Sequence, residues 1–106
     1  MPASRTLVIA VMGLGLAALP LSTLTAQDAS DGAALFADWG CGGCHTLAAA
    51  GAAGRIGPAF DGDPNLSFDY IVARVTNGQG AMPAFGGQLS EEEIADLAAY
   101  ILDAAE

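Results

Sequence analysis

Seven consecutive residues, W-G-C-G-G-C-H at positions 39–45, contain both cysteines and the only histidine of a 106-residue chain. Cys-x-x-Cys-His is the spacing at which a c-type haem is attached. Two thiols three residues apart on one turn can each add to a vinyl group of the porphyrin, and the next residue then lies under the iron. Cys41 and Cys44 are the expected thioether positions, His45 the expected proximal ligand, and Gly42 and Gly43 put no bulk between the two bonds. Two other chemistries use the same residues. A closed structural zinc site needs four ligands, and a carboxylate would have to join Cys41, Cys44 and His45. A redox-active disulfide of the thioredoxin kind sits at a strand-to-helix turn, and no strand alternation is visible in this sequence.

The first quarter of the chain reads as a leader. One Arg lies near the start, and residues 7–19 form an apolar run of 13 that ends at Pro20 and a short stretch of small polar residues. That order is expected of a secretory signal peptide, residues 1–26, cleaved near Ala26. A membrane-spanning helix would need about 20 apolar residues. The remaining domain, residues 27–106, would work in an exported, oxidising compartment. All twelve Asp and Glu fall in it, against only Arg55 and Arg74, a net charge of −10, and the chain has no lysine. Such a surface repels nucleic acid and anionic membranes and favours a basic protein partner. Solubility in a salty medium would select the same composition.

Helical patterning appears three times. D-G-A-A-L-F-A-D-W (31–39) suits a short helix capped by Asp31, with Leu35, Phe36 and Trp39 on its apolar face and Gly40 as its stop. Residues 67–78 place Phe68, Ile71, Val72 and Val75 on one side and end at Gly78. In the last segment Ser90 and Glu93 form a capping box, Glu91 to Glu93 lie at the positive end of the dipole, and Ile94, Leu97, Ala98 and Ile101 make the stripe. Between the first two patterns runs a Gly- and Pro-rich stretch without period, which reads as a long loop wrapping something. An 80-residue all-α domain of three to four short helices, rich in Ala and Gly, buries little apolar area and needs a staple or prosthetic group at its centre.

A low-spin haem needs a sixth ligand, usually Met or His. His45 is the sole histidine, and Met82 is the sole methionine of residues 27–106. Pro83 keeps Met82 out of helical geometry, in a loop able to present its thioether.

On these motifs the chain resembles a single-haem class I cytochrome c over the whole of residues 27–106. Its second half, I-V-A-R-V-T-N-G through G-A-M-P-A-F-G-G-Q-L-S to I-A-D-L-A-A-Y-I-L, is similar to small photosynthetic cytochromes and related bacterial periplasmic carriers. The resemblance implies the class I fold, helices and long loops around one covalent haem c. It implies that the Pro58 carbonyl accepts the Nδ1 proton of His45, and that Gly32, Phe36, Leu97 and Tyr100 form a crossing of the first and last helices. It also implies that Arg74 faces the haem and contacts a propionate, with Arg55 a weaker candidate. One departure stands out: the family places its aromatic four residues before the first Cys, and Phe36 lies five before Cys41, so one residue is inserted around Trp39-Gly40.

The function expected is that of a periplasmic electron carrier. It would be monomeric, shuttling electrons between respiratory or photosynthetic complexes and catalysing no reaction of its own. The alternative is a haem-bearing subunit permanently bound to an exported dehydrogenase, which would carry an apolar patch. A sensor or peroxidase would require an open iron site, with Met82 unbound. The acidic cluster Glu91, Glu92 and Glu93 is a candidate part of the docking surface.

Overall fold

The computed structural model describes residues 9–10, 12–18 and 29–106. The expected cleavage point near Ala26 lies outside the described residues, as does most of the expected leader. Its described part is exposed and in no helix or strand, and among the described residues no helix is long and apolar enough to cross a membrane.

Three helices build the domain: α1 (Ala29–Asp38), α2 (Phe68–Asn77) and α3 (Glu91–Ala104). Helix α1 begins two residues before Asp31, so Asp31 is a first-turn acid rather than the cap. Its charge still favours the helix, because it sits at the positive end of the dipole. Just past its end, the Trp39 N–H still bonds the Leu35 carbonyl at 3.0 Å. Gly40 then turns left-handed (φ 70°, ψ 26°), a conformation glycine adopts without a Cβ clash. A single 3-10 turn follows over Cys41–Gly43 and ends with His45 N–H on the Cys41 carbonyl at 3.0 Å.

The long loop contains one element that the sequence pattern did not announce. Strands β1 (Thr46–Leu47) and β2 (Ala52–Ala53) pair antiparallel, Thr46 opposite Ala53 and Leu47 opposite Ala52. The turn between them is a 3-10 turn over Ala48–Ala50 closed by left-handed Gly51 (φ 63°). Two-residue strands, one of them only alanine, carry no alternation to read. Beyond them the chain is pinned by three bonds: Gly57 N–H to Cys44 O at 2.7 Å, Phe60 N–H to Thr46 O at 3.1 Å, and Ala48 N–H to Asp61 Oδ2 at 3.0 Å.

Helix α2 starts at Ser67, whose hydroxyl accepts from Tyr70 N–H, and ends at left-handed Gly78. Helix α3 has the full capping box between Ser90 and Glu93. The core is Phe36 from α1, Leu47 from β1, Ile71 and Val75 from α2, Leu89, and Ile94, Leu97, Ala98 and Ile101 from α3. Fully burying one such aliphatic side chain contributes roughly 1.5–3 kcal/mol. Helix α1 crosses α3 where Gly32 meets the Asp96 carbonyl and the Tyr100 Cβ, and Phe36 packs edge-on to Tyr100 at 5.9 Å between ring centroids. Trp39, expected on the apolar face of α1, lies outside this core and is 37% exposed.

The segment after α2 is tied back onto that helix. Phe85 N–H bonds Val75 O at 2.9 Å and Gly86 N–H bonds Thr76 O at 3.1 Å. Within it, Gln79 and Met82 form an isolated antiparallel bridge, so Met82 is held in extended backbone before Pro83.

Candidate haem site

Helices α2 and α3, the Cys41–His45 turn and the loop around Met82 enclose a cleft of about 450 Å3, walled mainly by apolar side chains. Cavities of that order hold a single sizeable cofactor. The Cys41, Cys44 and His45 cluster and the sequence-distant Pro58, Arg74 and Met82 all line it. Arg55 does not line it, and neither do Glu91, Glu92 and Glu93. Glu91 instead lines a separate groove with Asp69 and Asn77.

His45 is fixed on three sides. The residue is 8% exposed, and its ring stacks on Phe60 at 4.5 Å with an interplanar angle of 17°. Nδ1 lies 2.7 Å from the Pro58 carbonyl oxygen. A carbonyl only accepts, so Nδ1 donates, and in the neutral imidazole Nε2 is the nitrogen left with a lone pair to offer a metal. Above the ring passes Gly57: a Cβ there would stand 2.4 Å from His45 Cε1, closer than any side chain permits.

The two thiols are unpaired, Cys41 half-buried and Cys44 exposed. Burial pushes the Cys41 thiol above its ordinary pKa, a backbone bond works against the rise, and Cys44 alongside adds to it. Among the described residues no three His, Cys, Asp or Glu side chains converge as a metal-binding group. Arg74 holds its guanidinium carbon 5.0 Å from the centre of the Tyr70 ring, and its Nε is buried without a hydrogen-bond partner.

Comparison with known proteins matches residues 27–101 to the family model described as cytochrome c oxidase, cbb3-type, subunit III. Cytochrome c6 of Picosynechococcus sp. is 44% identical over 92 residues, spanning 76% of this chain and 77% of that one. Two solved structures share the fold. The c-type cytochrome SorU from Sinorhizobium meliloti superimposes with a TM-score of 0.66 at 36% identity, over 73% of this chain and 90% of that one. Cytochrome c6 from the diatom Phaeodactylum tricornutum gives 0.60 at 39% identity, over 74% and 94%.

The chain belongs to the class I cytochromes c. It carries one covalent haem c, attached through Cys41 and Cys44, and is an electron carrier. The cytochrome's own residues fit that group. Within residues 29–106 the exposed large apolar side chains are Trp39, Ile56 and Tyr70, and all three line the cleft. A large planar apolar group is what would cover them. The orphaned Nε of Arg74 is a buried donor inside the same cleft, and such a donor is costly unless an acceptor arrives.

Several residues of this cytochrome's site gave no signal in the sequence. Phe60 stacks on His45 from 15 positions away, and only its closeness to Gly57-Pro58 could have suggested it. Tyr70 sits one helical turn before Arg74, a spacing that brings two side chains together on α2. Trp39 packs edge-on to Phe85 at 6.0 Å, and no local pattern links them.

Proposed function

We propose that this cytochrome is a periplasmic electron carrier whose haem iron is bound by His45 on one face and Met82 on the other. In this reading residues 1–26 are a signal peptide cleaved near Ala26, and residues 27–106 are the working domain. The observation that carries the assignment is the pairing of an imidazole, its Nδ1 proton engaged by Pro58, with the thioether of Met82 in one cleft. The bound haem supplies a one-electron ferrous/ferric couple. The chain supplies everything that tunes it. Pro58 fixes the tautomer and plane of His45 and raises its basicity as a ligand. The neutral thioether of Met82 favours the ferrous state and raises the potential relative to a second histidine. Arg74, steadied by Tyr70, offers its buried Nε to a propionate. With His45 and Met82 both engaged in holding the iron, the chain would turn over no substrate.

Its partners are a quinol-oxidising complex or dehydrogenase as donor and a terminal oxidase or photosynthetic centre as acceptor, docking through a basic patch. Within residues 29–106, the confinement of large exposed apolar side chains to the cleft favours a free monomeric carrier over a subunit fixed to a dehydrogenase. Gel filtration of the purified holoprotein separates the two: a monomer supports the carrier, and a stable co-purifying enzyme supports the subunit.

The ligand assignment has its own test. Met82→Ala should leave the haem covalently attached, open the sixth position to imidazole and lower the reduction potential. An unchanged spectrum and potential would mean that another group holds that face.

A further inference from the structure

The residue inserted between Phe36 and Cys41 has a consequence in three dimensions. Gly40 turns left-handed and leads the chain from the end of α1 directly into the Cys41 turn. Trp39 is thereby left at the end of the helix, on the wall of the cleft and not in the core. Its indole meets Phe85 edge-on, with centroids 6.0 Å apart and planes at 88°. Phe85 is three residues beyond Met82 and is itself fixed: its N–H bonds Val75 O, and its carbonyl accepts from both Gln88 and Leu89. Met82 is in turn bound to Gln79 through both backbone groups. The indole therefore joins the segment that carries the two cysteines to the loop that carries Met82, across the cleft between them.

We infer that Trp39 is a positioning residue: by packing on Phe85 it clamps the Met82 loop shut against the cysteine turn and so holds the thioether in place over the haem. The inference rests on the His45/Met82 ligation proposed above. In this role Trp39 acts through the loop, by its contact with Phe85. An edge-to-face ring pair corresponds to roughly a two- to tenfold bias on an opening equilibrium. Opening of the loop is the event that admits a foreign ligand.

The test uses the haem-loaded protein and two readouts. One is the affinity of imidazole for the ferric form. The other is the denaturant midpoint for loss of the thioether-to-iron charge-transfer band, compared with the midpoint for loss of helix by circular dichroism. Trp39→Ala should tighten imidazole binding about two- to tenfold and make the band disappear before the helices do. Trp39→Phe should restore most of both. Asp38→Asn, exposed on the same turn and absent from the cleft wall, should change neither. Phe85→Leu removes the other ring while keeping apolar bulk, and should reproduce Trp39→Ala even if that variant accumulates poorly. Wild-type imidazole binding and coincident transitions in Trp39→Ala or Phe85→Leu, with Met82→Ala open as expected, would overturn the clamp alone. Wild type that binds imidazole as tightly as Met82→Ala would overturn the ligation and the clamp together.

Discussion

At the scale of single residues, the imidazole of His45 is placed by contacts that leave it no freedom. Gly57 N–H is tied to Cys44 O at 2.7 Å, the next residue's carbonyl holds Nδ1, and Phe60 lies flat against the ring. Neither the loop nor the imidazole can retreat from a methyl group added at position 57. Gly57→Ala should therefore destabilise the holoprotein by about 1–3 kcal/mol, the usual cost of overpacking. Gly43→Ala, where an added Cβ meets nothing within 4 Å, should stay within about 0.5 kcal/mol of wild type. Chemical denaturation of the two variants checks the pair. The residues of this site divide by how they announce themselves. Cys41, Cys44 and His45 are legible because covalent attachment dictates their spacing. Met82 is legible because no other methionine remains in residues 27–106. Pro58 enters only through the family resemblance. Gly57 is matched with Pro58 by the same resemblance, but its close approach to the ring and the Phe60 stacking are products of the folded loop.

Secondary structure was easiest to read where the chain carries its own punctuation. Helix α3 is marked by a capping box and a four-residue stripe, and each expected stripe residue is buried. Helix α2 is bounded by Ser67 and Gly78 as expected, with Ile71 and Val75 buried and Phe68 and Val72 packed against the core. The start of α1 lies two residues before the expected one, because Asp31 serves equally well as a cap or as a first-turn acid and side-chain chemistry does not distinguish the two. In the sequence the β1–β2 pair is marked only by Gly51, which closes its turn. Helix crossing is where one residue matters most. At Gly32 a Cβ would stand 2.4 Å from both the Asp96 carbonyl oxygen and the Tyr100 Cβ. Gly32→Ala gains up to about 1 kcal/mol of helix propensity. It also forces α1 away from α3 along their whole contact, and overlap costing about 1–3 kcal/mol or more outweighs the gain. The melting temperature should fall, by about 4–8 °C per kcal/mol of net loss for a domain of this size. A variant that melts at or above wild type would show that the two helices can slide without loss.

For the molecule as a whole, charge sets two responses to salt that run in opposite directions. Twelve carboxylates face two arginines in residues 27–106, and one of those arginines is half-buried in the haem cleft. Self-repulsion opposes the folded state, and screening relieves it. At 0.1 M ionic strength the Debye length is already about 10 Å. The melting temperature should thus rise as salt is added, while the rate of electron transfer to a basic partner should fall from a low-salt advantage of roughly 10 to 10³. Calorimetry and stopped-flow kinetics over one salt series measure both, and a partner rate indifferent to salt would assign the acidity to solubility. Since Glu91, Glu92 and Glu93 lie off the cleft wall, a local effect of that cluster on docking is not expected to dominate the charge as a whole. The scarcity of cations has one more outcome. A protease that cuts only after lysine or arginine meets a single open bond in this domain, beside exposed Arg55, because Arg74 is locked inside α2. That bond lies between His45 and Pro58. Severing it would give a two-piece cytochrome, its coloured fragment bearing α1 and its colourless fragment bearing α2, α3 and Met82, held together by the seam at Gly32 and by the His45–Pro58, Cys44–Gly57, Thr46–Phe60 and Ala48–Asp61 hydrogen bonds across the cut.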